Sequence, residues 1–291
     1  MRAHALAGKK PSWLRKHLPE AGSTQRMERL LRRGRLDTVC ESARCPNRWE
    51  CFADGQATFL ILGNCCTRGC AFCGIPKGNP GLVDTDLPER VASAARDLDL
   101  RYLVVTSVTR DDLPDQGAGE FVRTAEAIRS QCSDVGLEML IPDFGGDPSL
   151  IERVVRAGPV VLGHNLETVE RIFPAVRPGF RYRRSLEVLS IAKSVGQRLT
   201  KSGLMLGLGE TEREVRGALE DLRSVDCDIV TLGQYLNPLA GGYPVRAYIR
   251  PERFDKIGVH ARALGFKVVY SGPFVRSSSG ARQAAVQAQG C

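Results

Sequence analysis

The sequence has no apolar run approaching the roughly 20 residues that a membrane-spanning helix needs, so no membrane span is expected. It has no internal repeat and no low-complexity stretch, which sets aside solenoids and disordered arrays. Met1–Pro19 lacks the roughly 7–15-residue apolar centre of a secretory signal. The segment is basic and holds no acid before Glu20, as in a transit peptide, but Pro11 and Pro19 interrupt it; a cytoplasmic location is expected. Nor is there a helix-turn-helix or base-stacking motif, so the formal net charge of +8 speaks to encounter with anionic partners and no nucleic acid is expected.

With 291 residues, 43% hydrophobic and 25% charged, the chain can bury a continuous core as one large domain or two ordinary ones. Its distinctive feature is ten cysteines, seven of them between Cys40 and Cys73. A disulfide framework belongs to small secreted domains, and this chain is neither small nor visibly secreted. In a reducing compartment clustered thiols are metal ligands or redox groups more often than crosslinks.

After that segment, short apolar runs alternate with amphipathic stretches, the pattern of β-α units with a parallel sheet. Strands are expected at 58–62, 102–107, 137–141, 160–162, 199–206, 229–233 and 267–271. Helices are expected at 87–98, 119–132, 148–157, 182–195, 211–225 and 251–264. Asp86 and Asp147, each near a following proline, read as helix caps. About six such units fit a (β/α) barrel better than an open doubly wound sheet. The domain reading is an irregular cysteine-bearing arm over 1–57, the barrel over 58–271, and a C-terminal tail over 272–291, expected to fray. Polar, glycine-bearing ends follow the strands, which predicts one shared pocket at their C-terminal ends.

Cys66-x3-Cys70-x2-Cys73, directly after the first barrel strand, is the sharpest signal. Three thiolates can hold three irons of a 4Fe-4S cubane, whereas a structural zinc takes four ligands, usually in two short pairs. The fourth iron, left open, can chelate S-adenosylmethionine and pass an electron to its sulfonium. Homolysis then gives a carbon radical that attacks unactivated C–H bonds. Cys40-x4-Cys45-x5-Cys51 is a second triad, for which a zinc or disulfide staple is the competing reading. Cys65 reads as a bystander, Cys132 and Cys227 as buried small hydrophobes, and Cys291 as terminal.

Cys40-Glu-Ser-Ala-Arg-Cys45-Pro-Asn-Arg-Trp-Glu-Cys51, followed by Cys66-Thr-Arg-Gly-Cys70-Ala-Phe-Cys73, resembles the lipoyl synthase family of radical S-adenosylmethionine enzymes. The likeness continues through Thr106-Ser-Val-Thr-Arg-Asp-Asp-Leu113, His164-Asn-Leu-Glu-Thr-Val169, Lys201-Ser-Gly-Leu-Met-Leu-Gly-Leu-Gly-Glu210 and Ser271-Gly-Pro-Phe-Val-Arg-Ser-Ser278. The resemblance implies a partial (β/α)6 TIM-type barrel with the cysteine-rich arm and a tail extension. It implies two 4Fe-4S clusters: a catalytic one on Cys66, Cys70 and Cys73, and an auxiliary one on Cys40, Cys45 and Cys51. The auxiliary cluster's fourth ligand maps to Ser278, with Ser277 as the adjacent alternative. Contacts to S-adenosylmethionine are expected at Phe72, Thr106, Ser107, Asn165, Gly207 and Glu210.

The implied reaction inserts sulfur at C6 and C8 of an octanoyl chain on a lipoyl-carrier protein, either an H protein or an E2 lipoyl domain, and consumes the auxiliary cluster. An electron donor such as ferredoxin or flavodoxin and an iron-sulfur cluster carrier are the further partners. A serine oxygen is a harder and more easily displaced iron ligand than thiolate, which suits a cluster that must be opened. The competing readings are a paralogue acting on another acyl chain and an iron-sulfur sensor or scaffold. Arg110 reads as an internal ion pair, His164 as a structural hydrogen bonder, and Arg177–Arg184 as a solvated basic face or a patch for an acidic carrier. The tail departs from the family pattern at Ser279 and Gly280, as does 237–245, which leaves the packing around the ligand serine to be found in the structure.

Overall fold

The computed structural model describes residues 10–17 and 19–290. Residues 1–9, Leu18 and Cys291, and with them most of the leader reading and the terminal cysteine, lie outside the described residues. One eight-stranded sheet runs in chain order: β1 (Asp37–Thr38), β2 (Thr58–Ile61), β3 (Tyr102–Ser107), β4 (Gly136–Leu140), β5 (Val161–Gly163), β6 (Thr200–Leu206), β7 (Ile229–Gln234) and β8 (Val268–Gly272). Strand β1 pairs antiparallel with β2, and every later pairing is parallel. Strands β2 and β7 are buried along their whole length, as expected where a parallel sheet is covered on both faces.

Six long helices link the seven parallel strands: α4 (Leu87–Asp97), α5 (Ala118–Gln131), α6 (Pro148–Arg156), α8 (Tyr182–Ser194), α9 (Glu212–Ser224) and α10 (Pro251–Ala263). The short helix α7 (Phe173–Val176) precedes α8. These are the six expected β-α units, closed by one further strand. Asp147 caps α6 by accepting from Ser149 N–H at 2.8 Å. Asp86 makes no side-chain cap on α4; its own N–H donates to Asp84 Oδ1 instead. Helix α9 opens on a capping box between Thr211 and Glu214, a Thr-x-x-Glu signal present in the sequence.

Two expectations about the ends are corrected. The arm is not irregular: it folds into α1 (Gln25–Gly34), β1, α2 (Val39–Ser42) and α3 (Arg48–Ala53), with Met27, Leu31 and Phe52 buried in the main core. The tail is not frayed: α11 (Ala281–Gln289) buries Ala284, Ala285 and Ala288 against Val161, Leu199, Ile229 and Val268. Three of those four residues begin β5, β7 and β8, and Leu199 precedes β6, so α11 caps the N-terminal end of the barrel. Small alanines let the helix approach the strand ends closely.

Candidate active site and auxiliary metal centre

Beyond β2 the chain turns off the sheet through Leu62 and Gly63, both at positive φ, and enters the loop bearing Cys66, Cys70 and Cys73. Cys66 N–H donates to Pro76 O at 2.8 Å, and Gly78 N–H to Cys66 O at 3.0 Å, which folds the loop back on itself. Cys66 Sγ accepts from Thr109 N–H at 3.4 Å and lies 2.8 Å from Thr109 Oγ1. At the loop's centre Ala71 N–H donates to Val176 O, and Tyr243 N–H donates to Ala71 O. Arg68 binds Asp111 through two nitrogens and Asp143 at 2.7 Å, and its guanidinium stacks on Phe180. Phe72 packs, half-buried, against the core of β6 and β7.

Burial pushes the Cys70 thiol up to about 12 against the opposing charge of Arg177, with Cys73, Glu167 and Cys66 adding to the rise. Burial likewise raises Cys73, with Cys66 contributing to the rise. The three sulfurs therefore feel one another inside a poorly solvated pocket. The raised Cys70 and Cys73 thiols stay protonated until a metal takes the protons' place.

The strands beside this loop carry a second pattern: buried polar atoms without partners. Ser107 Oγ at the end of β3, and His164 Nε2 and Asn165 Oδ1 just past β5, are all enclosed and unbonded among the described residues. Unsatisfied buried polar atoms are costly in a folded protein, and a polar ligand with amino, carboxylate and hydroxyl groups would satisfy them. Two acceptors, His164 Nε2 and Asn165 Oδ1, and the Ser107 hydroxyl thus fit the amino, hydroxyl and carboxylate groups of S-adenosylmethionine. Thr106 differs, because its hydroxyl already donates to Leu140 O at 3.0 Å. Glu210 is also engaged, accepting from Gly207 N–H at 2.6 Å and Leu208 N–H at 2.8 Å. Its carboxylate braces the turn that Gly207 makes at φ 100°, where a Cβ would stand 2.3 Å from Ala247 O. Glu210, expected among the cofactor contacts, thus also supports the Gly207 turn.

His164 Nδ1 lies 2.9 Å from Ile141 O, so it carries the proton and donates, leaving Nε2 as an acceptor. Burial and the nearby Arg177 lower its pKa to about 4. Glu167 was not picked out from the sequence, yet Asn165 Nδ2 donates to its carboxylate at 3.1 Å and burial raises its pKa. The Asn-x-Glu spacing immediately after a strand was the available signal. Arg177 overturns the solvated-face reading: it is 6% exposed, stacks on Phe180 at 4.0 Å and donates to Asn165 O at 2.5 Å. Of the same stretch, Arg183 pairs with Glu170 and Arg184 with Asp143. Arg110 forms the expected ion pair, with Asp112 at 2.8 Å.

The triad of the arm sits elsewhere. Cys40 on α2, Cys45 in the α2–α3 turn and Cys51 on α3 line a cavity of about 680 Å³ at the seam between arm and tail, together with Asn47, Arg276 and Ser278. Burial pushes Cys40 up to about 11, and Cys45 and Cys51 add to that rise, so this triad too is mutually close. Ser278 and Ser279 line the cavity and Ser277 does not. Ser279 Oγ accepts from Arg276 N–H at 2.8 Å, which closes a turn and leaves Ser278 as the uncommitted hydroxyl. Gly280 sits at φ 57°, where a Cβ would lie 2.9 Å from the Tyr270 ring.

Among the described residues no three His, Cys, Asp or Glu side chains converge as they would on a single ion. Each triad gathers thiols that influence one another's titration, and three thiolates, or three with a serine oxygen, are a ligand set that a 4Fe-4S cluster accepts. Cys227 is buried and Cys132 half-buried, as small hydrophobes.

The sequence pattern of the Radical SAM superfamily matches residues 60–222. A lipoyl synthase from Caldicellulosiruptor saccharolyticus is 51% identical over 271 residues, covering 93% of this chain and 95% of that one. One from Geotalea uraniireducens is 52% identical over 276 residues, covering 94% and 97%. Lipoyl synthase 2 from Thermosynechococcus vestitus is 51% identical over 282 residues, covering 94% and 97%. Among solved structures, the FeFe-hydrogenase maturase HydG from Carboxydothermus hydrogenoformans matches with a TM-score of 0.60 and 18% identity, over 78% of this chain and 55% of that one. Methylornithine synthase matches with a TM-score of 0.53 and 16% identity, over 72% and 70%. At those identities the likeness speaks for the barrel alone.

Proposed function

The chain belongs to the lipoyl synthase family of radical S-adenosylmethionine enzymes, and from that premise we propose which of its residues carry the reaction. The family joins two sulfur atoms to C6 and C8 of a protein-bound octanoyl group, using S-adenosylmethionine and two 4Fe-4S clusters. We assign the catalytic cluster to Cys66, Cys70 and Cys73 and the auxiliary cluster to Cys40, Cys45, Cys51 and Ser278. When bound, the catalytic cluster and S-adenosylmethionine together supply hydrogen abstraction from unactivated carbon, which no protein side chain can perform.

The residues of the chain supply position and exclusion of water. Thr109 fixes Cys66, the backbone at 176 and 243 fixes the middle of the loop, and Arg68 ties the loop to Asp111 and Asp143. Ser107, His164 and Asn165 offer unfilled hydrogen-bonding capacity to the cofactor. Glu210 holds the Gly207 turn against it. At the seam, Ser278 offers a single oxygen to a set otherwise made of thiolates. The observation that carries the assignment is the segregation of the two triads: one beside orphaned polar atoms, the other beside an uncommitted serine.

The octanoylated carrier is an H protein or an E2 lipoyl domain, with a ferredoxin or flavodoxin as reductant and an iron-sulfur carrier to rebuild the auxiliary cluster. The proposed setting is the cytoplasm; no described helix is long and apolar enough to cross a membrane. After anaerobic reconstitution the chain is expected to hold about eight irons. It should add two sulfurs to an octanoylated carrier, read by mass spectrometry, with release of 5'-deoxyadenosine. Cofactor cleavage without a mass gain on the carrier would remove lipoylation as the reaction.

A further inference from the structure

The auxiliary set is split between Cys40–Cys51 in the arm and Ser278 in the tail, so the two segments must be held in register before one cluster can bridge them. We propose that Arg276 is a positioning residue for the auxiliary cluster, its guanidinium set against Cys45 as the local counter-charge, with Asn47 making the reciprocal tie from arm to tail. The proposal rests on the assignment of the auxiliary ligands above.

The contacts cross in both directions. Asn47 lies between Cys45 and Cys51 and is 8% exposed, and its Nδ2 donates to Phe274 O at 2.7 Å. Arg276 lies on the tail and lines the same cavity as Cys45 and Ser278; burial lowers its pKa, and Cys45 acts against that fall. Its Nη1 is anchored on Val275 O at 2.6 Å and Pro273 O at 3.5 Å, so the head is held before any cluster arrives. Its backbone N–H donates to Ser279 Oγ, and Ser279 N–H returns a bond to Arg276 O at 2.9 Å. That closed turn presents Ser278 to the cavity. The tail backbone also lies flat on β7, where a Cβ on Gly233 would stand 2.1 Å from Val275 O.

The chemistry asks for such a cation. Three thiolates and a serine oxygen concentrate negative charge in an enclosed space, and an uncompensated charge there is costly. Arginine is charged at any working pH, and hydrogen bonds and net charge around a cluster set its potential. Other charges line the same cavity: Arg26, Arg101 and Arg282, with Glu50, Asp54 and Asp99. Lys16 favours the Cys51 thiolate, and Asp54 and Glu50 oppose it. Arg276 is the cation whose own turn carries Ser278.

The test is a potentiometric titration of the reconstituted full chain followed by electron paramagnetic resonance, with iron counted in parallel. In Arg276→Gln we expect the auxiliary step to move to more negative potential by at least tenfold in the reduction equilibrium, about 59 mV for one electron. The catalytic step should stay in place, and Arg276→Lys should restore most of the shift. In Asn47→Ala we expect iron to fall from about eight toward about four, with cleavage of S-adenosylmethionine retained. Should Arg276→Gln fail to load the auxiliary cluster, restored loading in Arg276→Lys supports the charge role and equal failure overturns it. An unmoved potential in Arg276→Gln overturns the proposal while the ligand assignment stands. A wild-type chain that takes up only about four irons instead overturns the assignment itself, and the proposal with it.

Discussion

The two cysteine triads are built in opposite ways. Cys66, Cys70 and Cys73 occupy one loop that folds back on itself through Pro76 and Gly78 and is pinned to the barrel at Val176, Tyr243 and Thr109. Cys40 and Cys51 ride on the short helices of the arm with Cys45 in the turn between them, and the Ser278 hydroxyl that faces their cavity comes from the far end of the chain. The tail that brings it is anchored by the alanine face of α11 and by the hydrogen bonds of Asn47 to Phe274 O and of Gln234 N–H to Pro273 O. At about 0.8 kcal/mol per buried methyl-sized group, Ala284, Ala285 and Ala288 together contribute only about 2 kcal/mol. The catalytic loop is thus held by the main fold, and the auxiliary site by a weakly fastened closure. A cluster used as a tool must persist through turnover, whereas one consumed as a reagent must open and be replaced.

Removing one thiol from each triad separates these roles most sharply. Cys70→Ala should abolish 5'-deoxyadenosine formation, a loss of at least a thousandfold, and lower bound iron by about four. Cys45→Ala should lower iron by the same amount yet leave S-adenosylmethionine cleavage largely in place, while sulfur insertion into an octanoylated carrier disappears. Iron analysis and product chromatography on the same preparations check both. Equal loss of cleavage in the two variants would mean that the triads act as one unit.

Much of this division was legible in the sequence, because cluster spacing is local and parallel strands are apolar runs. The seven parallel strands fall within a residue or two of their expected bounds, since segments such as Thr58–Ile61 and Ile229–Gln234 are apolar enough to be buried on both faces. The arm and the tail were less legible. Helix α11 reads as a polar Ala-Gln segment, and only contact with the strand ends gives its alanines a partner. Arg177 looked like part of a solvated basic run, because charge in sequence does not reveal that Phe173 and Phe180 close over it. Glu210 also braces its own turn, which spacing did not show, since its two backbone partners lie within three residues. The choice of Ser278 over Ser277 depends on the direction of one turn, which spacing cannot supply.

Two glycines allow a gentler break at either site. A methyl at Gly233 would meet Val275 O at 2.1 Å, and one at Gly207 would meet Ala247 O at 2.3 Å with a positive φ besides. Gly233→Ala is expected to lift the tail and cost the auxiliary cluster about half or more of its iron, with cleavage of S-adenosylmethionine little changed. Gly207→Ala should do the reverse, raising the KM for S-adenosylmethionine about tenfold or more, since one lost contact of about 1.4 kcal/mol suffices, while iron stays near the wild-type count. Strain of about 1–3 kcal/mol at either position also lowers the thermal midpoint, so the distinction must be read from iron and KM together.

The smallest expected effect concerns pH in the cluster-free chain. His164 is 1% exposed and its pKa falls from an ordinary value near 6.5 to about 4, because burial and Arg177 disfavour the imidazolium. The unfolded chain therefore binds a proton that the folded chain refuses between those values. Stability linked to His164 is fully present above pH 6.5 and is lost as pH falls through that window toward about 4. Urea unfolding should show a decline on the order of 1–2 kcal/mol between pH 6.5 and 5. His164→Gln keeps a donor for Ile141 O but cannot titrate, so its decline over the same window should be shallower. Hydrogen exchange under the same conditions ties the result to the barrel. Protection should fall first in β5 and the segment after it, while amides of α11 follow only global unfolding. Acid loosening that begins instead at α11 would show the weak closure of the auxiliary site, and not the histidine at the cofactor side, to be the part that gives way first.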